Sequence, residues 1–239
     1  MPENVYNESI SAWYDKIMEA GYNPRDHAVA AEAIKAILGS RNKVLELGIG
    51  TGLLAEQLIL RGINLTGFDF SKDMLRIAEG RLEDKVRLFH QDVVHLDLPE
   101  KNYEAAVSQG GVWVAIREGN CLDSHIIGYD RNLQGLKRVA EHLDMNGLLI
   151  INYGPAQLNG SITLAEGAEY SQEVNFSTGR PNQTYSKGYY VKKYGLIVAE
   201  QHCEYARFNE KETARLMDEA GFLTVGKDKS DSFLVFQKK

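Results

Sequence analysis

Cysteine, proline and positive charge are all scarce in this sequence. Its two cysteines, Cys121 and Cys203, stand far apart in 239 residues. A disulfide framework is therefore not expected. The six histidines, His27, His90, His95, His125, His142 and His202, form no HxxxH pair, and no metal site is expected. Lys and Arg number 27 against 33 Asp and Glu, a net charge of −6. There is no basic stripe of the kind that grips a phosphate backbone, which argues against a nucleic-acid partner. No run approaches the ~20 apolar residues of a membrane span, so no membrane partner is expected. Met1 to Tyr6 are polar and acidic, unlike an export signal. Without such a signal the Asn-x-Ser triplets at Asn159 and Asn175 read as chance, and a cytoplasmic location is the expectation.

What is present is an average globular composition, 44% hydrophobic and 25% charged. That excludes a disordered chain, a collagen-like repeat and a coiled coil. The length suits one large domain, or one domain with an insertion.

Helical spacing comes first. Ile10, Trp13, Tyr14, Ile17 and Met18 recur on one face, and Gly21 ends that helix. Asn23-Pro24 reads as an N-cap and first turn. The next helix carries Val29, Ala33, Ile34, Ile37 and Leu38 as its buried stripe and stops at Gly39. Strands and helices then alternate from Lys43 to Asn152. Short apolar strands end at Gly48, Asp69, Asp92 and Ser108, and a fifth runs from Gly147 to Asn152. This alternation predicts a parallel sheet with helices on both faces. Val112 to Gly128 reads as a long loop. After Tyr153 the chain turns rich in Tyr, Thr, Val and Ser, with antiparallel strands expected over 173–176, 188–193 and 196–205. The turns are expected at 178–182 and at Tyr194-Gly195. A helix at 209–220 and strands at 223–225 and 233–236 close the chain.

The strongest local signal is Val44-Leu45-Glu46-Leu47-Gly48-Ile49-Gly50-Thr51-Gly52. A strand runs into a glycine-rich turn that opens a helix, so a ligand can approach the backbone closely. The spacing is GxGxG, because residue 53 is Leu, and not the GxGxxG of dinucleotide folds. Glu46 would repel a pyrophosphate and suits a ligand bearing an ammonium group. Asp69, at the end of the second strand, is placed to accept ribose hydroxyls. Asp92, after the third strand, can accept from an adenine amino group. Ser108-Gln109-Gly110-Gly111 follows the fourth strand.

In these residues the sequence resembles the class I S-adenosylmethionine-dependent methyltransferases, over roughly residues 40–155. The resemblance implies a Rossmann-like, doubly wound α/β fold. Its sheet would be mostly parallel and seven-stranded, with an antiparallel β-rich insertion after the fifth strand. Residues 1–40 would form a helical lid or cap, and 41–158 with 209–239 the core. The insertion, 159–208, would be a lid on the acceptor pocket or the surface of a homodimer. The implied cofactor is S-adenosylmethionine, with S-adenosylhomocysteine as product. Glu46, Gly48 and Gly50 would line its methionine and ribose, and Asp69 would hold the ribose hydroxyls. Phe70 and Met74 would pack on the adenine, with Asp92 and Val93 at its edge. Gln109 and Gly110 would flank the methionine arm. In similar small-molecule methyltransferases an N-terminal tyrosine covers the cofactor, and Tyr14 matches it here.

The acceptor is expected to be a small molecule methylated on N or O. No Asn/Asp-Pro-Pro-Tyr motif is present, which counts against a nucleobase. His125, whose ordinary pKa is near neutral, is the general-base candidate beside Tyr14. Trp113, Arg117 and His202 are the candidates for acceptor binding. Two other readings remain open at this level. One is an NAD(P)-dependent oxidoreductase. The other is a non-catalytic regulatory protein that binds S-adenosylmethionine.

Overall fold

In the computed structural model, which describes residues 6–21, 25–177 and 183–239, the alternating region folds as a twisted sheet between helices. Strand β1 (Lys43–Leu47) lies between β2 (Asn64–Asp69) and β4 (Tyr103–Ser108), all parallel. β3 (Arg87–His90) adds to β2, and β7 (Leu143–Gly154) to β4, again parallel. β13 (Phe233–Lys238) runs antiparallel on β7, and β12 (Phe222–Lys227) antiparallel on β13. The order β3-β2-β1-β4-β7-β13-β12 is the expected seven-stranded, mostly parallel sheet.

Alternation along the strands divides the core into two layers. Val44, Val107, Ile150 and Val235 face one layer with Ile34 and Leu38 of α2 (Arg25–Leu38), Leu54 and Leu58 of α3 (Leu53–Ile59), and Leu75 and Ala78 of α4 (Lys72–Leu82). Leu45, Leu47, Leu149 and Phe236 face the other. That layer holds Leu136 and Val139 of α5 (Tyr129–His142) and Leu216 of α6 (Glu210–Glu219). Ser71 caps α4 by accepting from the Met74 N–H, and Asn209 with Glu212 forms a capping box on α6. The buried face of α2 is Ala30, Ala31, Ile34 and Leu38, with Val29 exposed. Of the stripe expected from the sequence, Ile34 and Leu38 are buried, Ala33 and Ile37 pack partly buried against the same layer, and Val29 alone faces outward. The Asn23-Pro24 cap and the turn at 178–182 lie outside the described residues.

The insertion is a four-stranded antiparallel sheet of β8 (Gly160–Thr163), β9 (Ala168–Phe176), β10 (Gln183–Lys193) and β11 (Leu196–Phe208). Tyr194 and Gly195, both at positive φ, close the hairpin between its two longest strands. Helix α1 (Glu8–Gly21) packs on this sheet, burying Ile10 and Ile17 against a layer that includes Tyr185, Tyr189, Val191 and Tyr205. Helix α2, in contrast, packs in the main core.

The segment 112–128, expected as a loop, contains a hairpin of β5 (Trp113–Ile116) and β6 (Cys121–Ser124). β5 pairs with the end of β7, and β6 pairs with β11. The hairpin thus joins the insertion to the main sheet as one continuous surface. Asp123 locks the joint. Its carboxylate accepts from Arg207 Nε at 2.7 Å and a second guanidinium N–H at 2.8 Å, and from the Tyr185 hydroxyl at 2.8 Å.

Candidate active site

The carboxyl ends of β1, β2 and β4, the start of α5 and one wall of the insertion enclose a cavity of about 730 Å³. Open α/β sheets bind ligands at this edge because the strand order reverses there and the loops diverge.

The glycine turn forms its floor. The N–H groups of Gly48 and Ile49 both donate to the Phe68 carbonyl, at 3.0 and 2.9 Å, which ties the turn to the end of β2. Gly48 has φ +74°, and a Cβ there would sit 3.0 Å from the Gly111 Cα. Backbone crosses backbone at this point, so only glycine fits. Gly111 is tighter still, since its Cβ would stand 2.1 Å from the Leu47 carbonyl oxygen.

Two carboxylates rise from the strand ends. Asp69 accepts from Gly50 N–H and Ser71 N–H, each at 2.8 Å, so it shapes the turn as well as facing the cavity. Burial raises its pKa, and those backbone N–H groups oppose the rise. Glu46 is 3% exposed, and its Oε2 has no hydrogen-bond partner among the described residues. Burial first, and then the neighbouring Asp69 charge, push its pKa well above the usual carboxylate range. A buried carboxyl left in this state is completed by a donor or cation from a ligand. It also makes ligand binding depend on pH. A cation binds the ionised form, so affinity is full above the raised pKa of the empty site and falls as the pH drops through it. Binding in that lower range releases a proton. Glu46→Gln should flatten this profile and weaken binding of a cationic ligand by about tenfold to a hundredfold. Calorimetry in buffers of different ionisation enthalpy reads both effects.

At the far end of the floor, Asp92 accepts from the Val94 N–H at 3.0 Å and lies 3.5 Å from an Arg131 guanidinium nitrogen. Val93 and Met74 are buried beside it, and Phe70 is half-exposed at the rim. Gly110 N–H donates to Asn152 Oδ1 at 2.8 Å, and the buried Gln109 Oε1 has no partner among the described residues. All eleven residues expected around a cofactor, Tyr14 included, line this one cavity.

The opposite wall comes from the N-terminus and the insertion. Tyr6 stacks edge-on to Tyr14 at 5.9 Å between ring centres, and donates to the Tyr189 hydroxyl at 3.4 Å. His125 lies edge-on to Tyr205, with ring centres 4.6 Å apart. Burial, reinforced by the Lys187 charge, depresses its pKa to about 4, so the ring is neutral at neutral pH. His202 lines the cavity together with Ser186, Cys203 and Glu204.

Two of the residues expected to bind the acceptor lie elsewhere. Trp113 is fully buried in the main core, and its indole N–H donates to Asn132 Oδ1 at 2.8 Å. It anchors the β5–β6 hairpin. Arg117 is exposed at the tip of that hairpin, pairs with Asp231 and covers the Tyr153 ring. Reading the segment as a loop concealed both outcomes. The Gly119-Asn120 turn between two four-residue strands is the signal that announces the hairpin. Tyr6, His27, Arg131, Ser186, Cys203 and Glu204 also line the cavity. They arrive by tertiary packing, without a motif of their own.

Residues 44–124 match the family model described as a methyltransferase domain. The ubiquinone biosynthesis O-methyltransferase of Hydrogenovibrio crunogenus is 36% identical over 76 residues, which is 31% of this chain and 32% of that protein. Such alignments span between about a quarter and a half of the curated relatives' own length. Solved structures match over nearly the whole chain. DesVI of Streptomyces venezuelae superimposes with a TM-score of 0.70 at 18% identity, covering 98% of this chain and 99% of its own. CalS10, an amino pentose methyltransferase from Micromonospora echinaspora solved with its cofactor bound, gives 0.68 at 19% identity, covering 100% of both chains. The chain thus carries, in residues 44–124, a methyltransferase domain set in the fold of the class I S-adenosylmethionine-dependent methyltransferases.

Proposed function

We propose that this protein transfers a methyl group from S-adenosylmethionine to nitrogen or oxygen of a small-molecule acceptor. The observation that carries the reading is the buried, unpartnered oxygen of Glu46 beside Asp69 on the glycine turn. Together with the turn, these carboxylates form a cradle suited to a ligand that carries an ammonium group and a ribose. Glu46 would take the ammonium, Asp69 the ribose hydroxyls and Asp92 the adenine amino group. Phe70, Met74 and Val93 would hold the ring, and Gln109 and Gly110 the methionine arm. A pyrophosphate would meet the Glu46 charge in the same place, which disfavours a nicotinamide cofactor.

When bound, S-adenosylmethionine would supply a methyl group on its sulfonium: the acceptor lone pair would bond to that methyl carbon in line as the S–CH3 bond breaks, with S-adenosylhomocysteine as the leaving group. The residues of this chain then have three tasks. The glycine turn and the strand-end carboxylates fix one reactant. The wall of Tyr6, Tyr14, His125 and the insertion excludes water and positions the other. A neutral His125 can accept a hydrogen bond from the acceptor's N–H or O–H and so aim its lone pair. With its pKa depressed to about 4, it is a weak base. Positioning therefore outweighs proton removal, which suits an amine that enters uncharged. The insertion would serve as the acceptor-pocket wall.

The test is incubation with S-adenosylmethionine and a panel of small amines, amino sugars and phenols, read by mass spectrometry. The expected result is a singly or doubly methylated small molecule with matching S-adenosylhomocysteine. Methylation of peptides or nucleic acid alone would overturn the acceptor class.

A further inference from the structure

Among the described residues, the buried side-chain polar atoms that line the cavity without a partner are Glu46 Oε2, Gln109 Oε1 and both ring nitrogens of His27. The first two are acceptors. His27 is the one that donates. Leaving a buried polar group unpaired costs about 1–3 kcal/mol, and an apolar side chain would fill the same space without that cost. Among the described residues nothing calls for an imidazole here.

His27 stands in the first turn of α2 and belongs to the glycine-turn end of the cavity. The charges that act on it are Asp26 on its own helix, Asp15 on α1 and Arg81 on α4. Asp15 accepts from the Thr51 hydroxyl at 2.6 Å and pairs with Arg81, whose Nε donates to the Thr51 carbonyl at 2.9 Å. This network pins α1 to the glycine turn and engages the Arg81 cation and the Thr51 hydroxyl. Arg131, the one Lys or Arg among the described residues that lines the cavity, is engaged with Asp92 at the opposite end. The orphaned groups at the glycine-turn end therefore ask for a ligand with a cationic head and an anionic group beside it.

We propose that His27 donates a hydrogen bond to the α-carboxylate of the amino-acid arm of the bound cofactor, opposite the ammonium taken by Glu46. The inference rests on the cofactor reading above. It makes His27 a binding residue and separates its role from that of the acceptor wall.

The test is a cycle of protein and ligand changes, measured by calorimetric titration. Wild type and His27→Leu are each titrated with S-adenosylhomocysteine and with its decarboxylated analogue, which lacks only the carboxylate. Wild type should lose about tenfold or more in affinity when the carboxylate is removed. His27→Leu should bind S-adenosylhomocysteine about tenfold more weakly than wild type, yet show less than about a threefold difference between the two ligands. The melting temperature of the empty His27→Leu protein should equal or exceed that of wild type, because an unpaired polar group is gone. His27→Gln, which keeps an N–H donor, should recover part of the affinity. Equal binding of both ligands by wild type would overturn the proposal, whether or not the variant folds. So would an undiminished carboxylate effect in His27→Leu. If wild type fails to bind S-adenosylhomocysteine at all, the cofactor reading fails, and this proposal with it.

Discussion

Asp69→Asn will lower the affinity for S-adenosylhomocysteine by about a hundredfold while the chain stays folded. The acidic side chain ends β2 at the cavity floor, where two ribose hydroxyls would donate to it. Hydrogen bonds to a charged acceptor contribute about 1.5–3 kcal/mol each, so losing the charge removes about 3 kcal/mol across the pair. The same carboxylate holds Gly50 N–H and Ser71 N–H. Asparagine can accept only one of them, so a loss of about 1–2 kcal/mol in stability should accompany the binding defect. Calorimetry and thermal unfolding, run on the same preparation, separate the two. A variant that binds as tightly as wild type would remove Asp69 from the ribose site.

The largest loss of stability is expected at Asp123→Ala. Asp123 and Arg207 form a pair whose side chains are 4% and 15% exposed, and Tyr185 adds a third hydrogen bond. Removing one partner of a buried pair leaves the other charge uncompensated, which costs about 3–5 kcal/mol. The pair joins β6 to β11 and β10, so the damage should fall on the insertion and the acceptor wall. Urea unfolding should register the full loss. Hydrogen exchange should show β9–β11 losing protection before β1 and β4. Uniform loss of protection would mean that the insertion is not a separate cooperative unit.

What could be read from the sequence was local. The glycine turn, Asp69, Asp92 and Gln109-Gly110 all punctuate strand ends, where a short apolar run meets a glycine or an acid. Strand ends in an open α/β sheet converge on one edge, so locating the ends located the floor of the cavity. The opposite wall depends on pairing between distant segments. β6 meets β11, and α1 packs on β10 and β11, contacts that no spacing within either segment announces. Trp113 is the example. An aromatic residue just past a strand end looks like a pocket wall until its hairpin is seen to turn it into the core. His27 leaves no trace in the sequence because one histidine on a helix face carries no pattern; its two ring nitrogens, unpaired among the described residues, are what mark it.

The most direct measurement is calorimetric titration of the purified protein with S-adenosylhomocysteine, with NADH as the control. Micromolar binding of S-adenosylhomocysteine is expected, weakening as the pH falls through the raised pKa of Glu46, with no binding of NADH. Binding of NADH alone would contradict it.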